Sequence, residues 1–98
     1  LATLTNNISN LVAPTNVKAN TLSTTQIYLT WDIVPNATYY TVYRSTSSTG
    51  DFSIIGAVST PYFTDSNCSS KTTYYYKIQA GNNTATGPAS IVIAGTTN

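Results

Sequence analysis

Two stretches of the chain alternate strictly between apolar and polar positions. Ile27, Leu29 and Trp31 are interleaved with Gln26, Tyr28 and Thr30, while Tyr74, Tyr76, Ile78 and Ala80 are interleaved with Tyr75, Lys77 and Gln79. A period of two sends successive side chains to opposite faces, so both stretches are predicted to be half-buried strands. Shorter runs repeat the pattern. Val17 and Ala19 alternate with polar neighbours, and Tyr40 and Val42 share one face while Tyr39, Thr41 and Tyr43 share the other. Phe52, Ile54, Ile55 and Val58, then Tyr62-Phe63-Thr64, and finally Ser90 to Ala94 complete the strand candidates. Pro35-Asn36, the 45–51 stretch STSSTGD with Gly50 available for a positive φ, the polar 65–73 crossing and the 81–88 loop separate them. No segment carries a 3.6-residue period, and the many β-branched and Tyr residues disfavour helix. The fold class is therefore all-β, with seven short strands in an antiparallel sandwich. Residues 1–13 are polar, weakly patterned and end at Pro14. They are predicted to be a linker or N-terminal extension pinned by Leu11 and Val12, leaving residues 14–98 as one domain.

Composition narrows the function more than the fold. Only seven of the 98 residues are charged, four Lys or Arg and three Asp, whereas Thr, Ser and Asn together fill 40 positions. A chain of this length buries roughly two-thirds of its unfolded surface, enough for one two-layer core. Four cations cannot neutralise many phosphates, which excludes a nucleic-acid binder working through a basic stripe. No stretch approaches the eighteen or so apolar residues of a membrane span, so no membrane insertion is expected. A hydroxyl- and amide-rich surface with one Cys and no disulfide partner suits an extracellular, secreted or cell-surface setting. The absence of an initiating Met and of a signal-peptide pattern suggests a piece of a longer protein.

Candidate chemistry is sparse. General acid–base work needs paired titratable groups, and the chain offers Asp32, Asp51 and Asp65 with no His. The sandwich is expected to disperse the three, each bonding local backbone at a turn or strand end. A Ser or Thr nucleophile lacks its base, one Cys cannot make a transition-metal site, and the five Gly form no phosphate loop. No catalytic residue, metal or cofactor is expected. Asn-x-Ser/Thr sequons occur at Asn7, Asn36, Asn67 and Asn82, a pattern that arises readily by chance in so Thr- and Ser-rich a chain.

Taken together, several pieces resemble a fibronectin type III domain of the bacterial extracellular kind. They are Pro14, Ile27-x-Leu29-x-Trp31, Tyr40-x-Val42-Tyr43-Arg44, Tyr62-Phe63-Thr64-Asp65, the Thr73 to Ala80 strand and Ser90. The resemblance covers Pro14 to about Thr96 and implies an immunoglobulin-like β-sandwich. Within it, Trp31, Tyr40, Val42, Tyr74 and Tyr76 would form the core. Tyr74 would be the tyrosine-corner residue, its hydroxyl reaching backbone in the 65–73 loop. Cys68 stands where the family usually has Leu or Val and would be a buried, inert thiol.

The same placement turns Tyr39, Tyr43, Tyr75, Lys77 and Gln79 outward. Tyr43 and Tyr75 would then form an aromatic pair flanked by amides and hydroxyls, a candidate face for a glycan or a neighbouring domain. The alternative role of these rings is cross-strand stabilisation of a charge-poor sheet. The 81–88 loop, GNNTATGP, carries no Arg-Gly-Asp, so integrin adhesion is not implied. The resemblance implies a non-catalytic spacer in a multimodular secreted bacterial protein that degrades or binds polysaccharide. Its partners would be neighbouring domains of the same polypeptide, with polysaccharide as a second possibility and a cell-surface adhesion repeat as a third reading. The isolated domain is expected to be mostly monomeric, with modest association at high concentration through its uncharged edges.

Overall fold

The computed structural model describes residues 11–98. Eight strands appear in chain order: β1 (Lys18–Thr21), β2 (Ile27–Thr30), β3 (Tyr39–Ser45), β4 (Ser53–Val58), β5 (Tyr62–Asp65), β6 (Thr73–Gly81), β7 (Thr86–Ala89) and β8 (Ile93–Thr96). They form two antiparallel sheets, one ordered β1-β2-β5 and the other β4-β3-β6-β7, with β8 also paired to β6. The alternation seen in the sequence is the alternation of burial. Ile27, Leu29, Val42, Tyr76 and Ile78 are fully buried between the sheets, joined by Trp31, Tyr40, Cys68 and Tyr74. Trp31 and Tyr40 meet edge to face, with ring centroids 5.4 Å apart, and fill the gap between layers that lie about 10 Å apart.

The strand count differs from the expected seven because the last strand is split. β7 pairs the far half of β6 and β8 the near half, on the same side. Between them Ser90 still sits opposite Ile78. Its N–H donates to the Ile78 carbonyl, and its Oγ accepts from the Ile78 N–H. A side-chain oxygen thus takes the acceptor position of the ladder, and Ile91 and Val92 swing out into solvent. The predicted strand at Ser90 to Ala94 spans this break, while β7 begins inside the predicted 81–88 loop.

Two further expectations change. Gly50 does not adopt a positive φ; Asn16, Asn36 and Lys71 do. The 45–51 loop is closed instead by hydroxyls, with Ser45 Oγ accepting from Ser47 N and Ser47 Oγ from Thr49 N. Residues 1–10 of the predicted linker lie outside the described residues. Leu11, by contrast, is buried in the core against Gly87, whereas Val12 is exposed.

The described chain enters and leaves at opposite poles. Leu11 and Gly87 mark one pole, near the end of β6. At the other, the Asn98 N–H donates to the Ser23 carbonyl while the Asn98 carbonyl accepts from Lys71 N–H.

Candidate functional site

Two tyrosine hydroxyls tie long loops to the sandwich. The Ser69 N–H donates to the Tyr74 hydroxyl at 2.7 Å, anchoring the 65–73 crossing, and the Val34 N–H donates to the Tyr40 hydroxyl at 2.9 Å, anchoring the loop before β3. Both are buried rings at strand positions facing inward, with the polar tip reaching the backbone that needs an acceptor.

The outward face of the larger sheet is less open than its sequence implies. Tyr39, Tyr43, Tyr75, Lys77 and Gln79 are all half-buried. In the β3–β6 register Tyr43 stands opposite Lys77, and Tyr75 stands opposite Ser45, so the two rings are not cross-strand partners. The Tyr43 hydroxyl donates to Gln79 Oε1 at 2.9 Å, and Gln79 Nε2 donates to the Gly87 carbonyl at 2.8 Å. Lys77 Nζ lies 5.5 Å from the Tyr43 ring centre and 4.7 Å from that of Phe52. The polar ends of Tyr43, Lys77 and Gln79 are thus engaged. An aromatic contact exposed to solvent lies instead on the opposite sheet, where Tyr28 and Tyr62 approach to 6.2 Å at an angle of 39°.

The strongest concentration of polar chemistry was not legible in the sequence. Asp65, expected to be a strand-end carboxylate bonded to local backbone, is 3% exposed. Arg44 Nη1 lies 3.1 and 3.0 Å from its two oxygens and also donates to the Asn67 carbonyl. The Tyr76 hydroxyl donates to Asp65 Oδ2 at 2.7 Å, and the Cys68 thiol donates to the Asp65 carbonyl at 3.6 Å. The local backbone bond exists as well, from Asn67 N to Oδ1, but it is one of several. The guanidinium rests on the Tyr74 ring, 4.7 Å from its centre.

The register explains the gathering. β5 ends at Asp65 beside Ile27, so its carboxylate reaches across to β3 and β6 of the other sheet, where Arg44 and Tyr76 are direct partners. Burial pushes the Asp65 carboxyl up, but hydrogen bonds from Tyr76, Arg44, the thiol and Asn67 outweigh it, leaving it below its ordinary range. Burial and the adjacent carboxylate push the Tyr76 phenol far up, and burial with Asp65 raises the Cys68 thiol. For Arg44 burial acts against the charge, yet Asp65 outweighs it and holds the guanidinium above its usual value. The upward shift of the thiol is the opposite of the lowering that marks reactive cysteines.

A cleft of about 370 Å³ opens onto this group between the edges of the two sheets, lined by Arg44, Ile55, Phe63, Thr64, Asp65, Ser66 and Asn67. A second of about 230 Å³ shares Arg44 and Ile55 with it and includes Asp51 and Ser53. Asp51 is exposed there, and Asp32 meets the side chains of Thr15 and Asn16 at the far pole. Among the described residues no three His, Cys, Asp or Glu gather as a metal-holding group.

No protein-family model matches the chain. A poly(3-hydroxybutyrate) depolymerase of Ralstonia pickettii is 37% identical over 73 residues, which are 74% of this chain but 14% of that protein. The chain therefore spans only a small part of that relative. Among solved structures, an Fn3-like protein from Clostridium thermocellum is 28% identical with a TM-score of 0.81, covering 93% of this chain and 95% of that one. The structure of FN3tt gives a TM-score of 0.82 at 19% identity over 90% of this chain and 95% of the other. The fibronectin type III domain of human KIAA0970 gives 0.73 at 23% identity over 92% of this chain and 74% of the other. With its two-sheet strand order, its loop-anchoring Tyr74 and this likeness along nearly the whole chain, the protein has the fold of a fibronectin type III domain.

Proposed function

We propose that this domain is a non-catalytic spacer module of a secreted bacterial protein that acts on an insoluble polymer. The observation that carries the reading is the polar layout: the described chain enters beside Gly87 and leaves beside Ser23, with Leu11 buried and both backbone groups of Asn98 bonded to the body of the domain. A body held at both ends sets a separation that a flexible linker of equal length would only average. The charge-poor surface fits a module with no steered partner, and the partners of this reading are the neighbouring domains of the same polypeptide. The relative's name widens the polymer class from polysaccharide to polyester.

A retention assay tests this. The isolated domain is mixed with poly(3-hydroxybutyrate) granules, cellulose, xylan, chitin and starch, beside a Tyr43→Ala/Tyr75→Ala variant. The expected result is that the protein stays in solution with every polymer. Retention of most of the protein on any of them, abolished in a variant that keeps its melting transition, would overturn the spacer reading in favour of a binding face.

A further inference from the structure

We propose that the cleft beside Arg44 is a subsite for a neutral, acceptor-bearing aliphatic group, an ester carbonyl with its adjoining short alkyl chain. Four features of the cleft argue for it. Arg44 spends one nitrogen, Nη1, on Asp65 and Asn67, while Nε and Nη2 make no hydrogen bond among the described residues. A guanidinium carries five N–H donors in a fixed fork, so three remain for an acceptor. The side chain is 24% exposed, and Arg44 lines both clefts.

The apolar wall is held rigidly. The β3–β4 register slips so that Val42 faces Gly56 and Tyr43 faces Ile54, leaving Ile55 as the extra residue of a bulge that borders both clefts. Bulges commonly re-aim a side chain at a sheet edge in this way. The Phe63 ring packs where a Cβ on Gly56 would lie, 2.6 Å from Cε1, so only glycine lets the ring sit across the edge.

Charge then selects the ligand. Asp65 neutralises Arg44, and Asp51 in the adjoining cleft adds one negative charge, so the local sum is −1. A carboxylate would add to that excess, whereas a neutral carbonyl accepts from the free edge of Arg44 without opposing it. Thr64, Ser66 and Asn67 border the polar side, while Ile55 and Phe63 supply the apolar part of the lining. The choice of an ester over other neutral acceptors rests on the polymer reading above; the free donor edge and the bulge do not.

Amide NMR titration of the domain with methyl 3-hydroxybutyrate tests the proposal, with 3-hydroxybutyrate anion and cellobiose as separate arms. The ester is expected to produce saturable shifts at millimolar concentration, confined to residues around Ile55, Thr64, Ser66 and Asn67. Arg44→Lys should weaken them at least tenfold, and Ile55→Ser, at a half-exposed edge position with no part in the ion pair itself, should weaken them severalfold while the fold is retained. No saturable shift with the ester, a stronger response to the anion or to cellobiose, or full retention of the response in Ile55→Ser would overturn it. The spacer reading would survive each of those outcomes, because it depends on polymer retention and not on this cleft.

Discussion

Where β1 meets β8, the sandwich closes on small groups: Gly95 lies against Ala19 and Ile27, and the Thr21 hydroxyl donates to the Thr96 carbonyl. Where β4 faces β5 on the opposite edge, the sheets stand apart, and the gap holds an ion pair, a phenol, a thiol and a cleft. The first edge is held by the close approach of uncharged groups. The second is held by groups that must be charged or hydrogen-bonded to be buried at all, so its stability answers to pH and to single-atom changes. One fold can thus seal one edge for rigidity and leave the other chemically addressable.

The largest break in this contrast should come from Asp65→Ala. It leaves the buried Tyr76 hydroxyl without its acceptor and the half-buried Arg44 without its carboxylate, and should cost about 3 kcal/mol in urea unfolding. Gly95→Ala attacks the other edge. Its new Cβ would lie 3.1 Å from Ala19 Cβ and 3.2 Å from Ile27 Cγ2, closer than ordinary contact, so a loss of about 1–3 kcal/mol independent of pH is expected. Tyr74→Phe removes the acceptor for Ser69 N–H and should cost about 1 kcal/mol in the same assay. Tyr43→Phe, on the outward face, should change stability by no more than about 0.5 kcal/mol.

The pH dependence sharpens the comparison from both sides. Asp65 titrates below its ordinary range when folded, so its contribution is complete above about pH 4, near the unfolded value, and drains away as the pH falls through the folded one. Tyr76 titrates above its ordinary range when folded, so its contribution is complete below about pH 10 and is lost as the pH rises further. Urea unfolding from pH 2 to 11 should show both limbs in the parent, with the acid limb reduced in Asp65→Asn and the alkaline limb reduced in Tyr76→Phe. Gly95→Ala should keep both; a lost limb there would mean that the two edges are not independent.

Particular residues show what was readable. Ile27, Leu29, Trp31, Tyr40, Val42, Tyr74 and Tyr76 stand on inward faces because strict alternation leaves a strand no other way to bury them. Cys68 is buried in the crossing loop, where its thiol also donates to the Asp65 carbonyl. The Tyr43 and Tyr75 pairing failed because facing outward is a property of one strand, whereas being opposite is a property of the register between two. Asp65 was misread for a related reason. Its neighbours in sequence offer backbone donors, and its decisive partners, Arg44 and Tyr76, are 21 and 11 residues away.

The sequence by itself determined the all-β class and the face each strand buries, because these follow from a two-residue period, while the loop tyrosine was implied by the family resemblance. Only the tertiary structure decided the split last strand, the Arg44–Asp65–Tyr76 lock and the cleft beside it. Those depend on which strands lie side by side, at what offset, and on where a bulge turns one side chain, and such distances are set by packing across the two sheets.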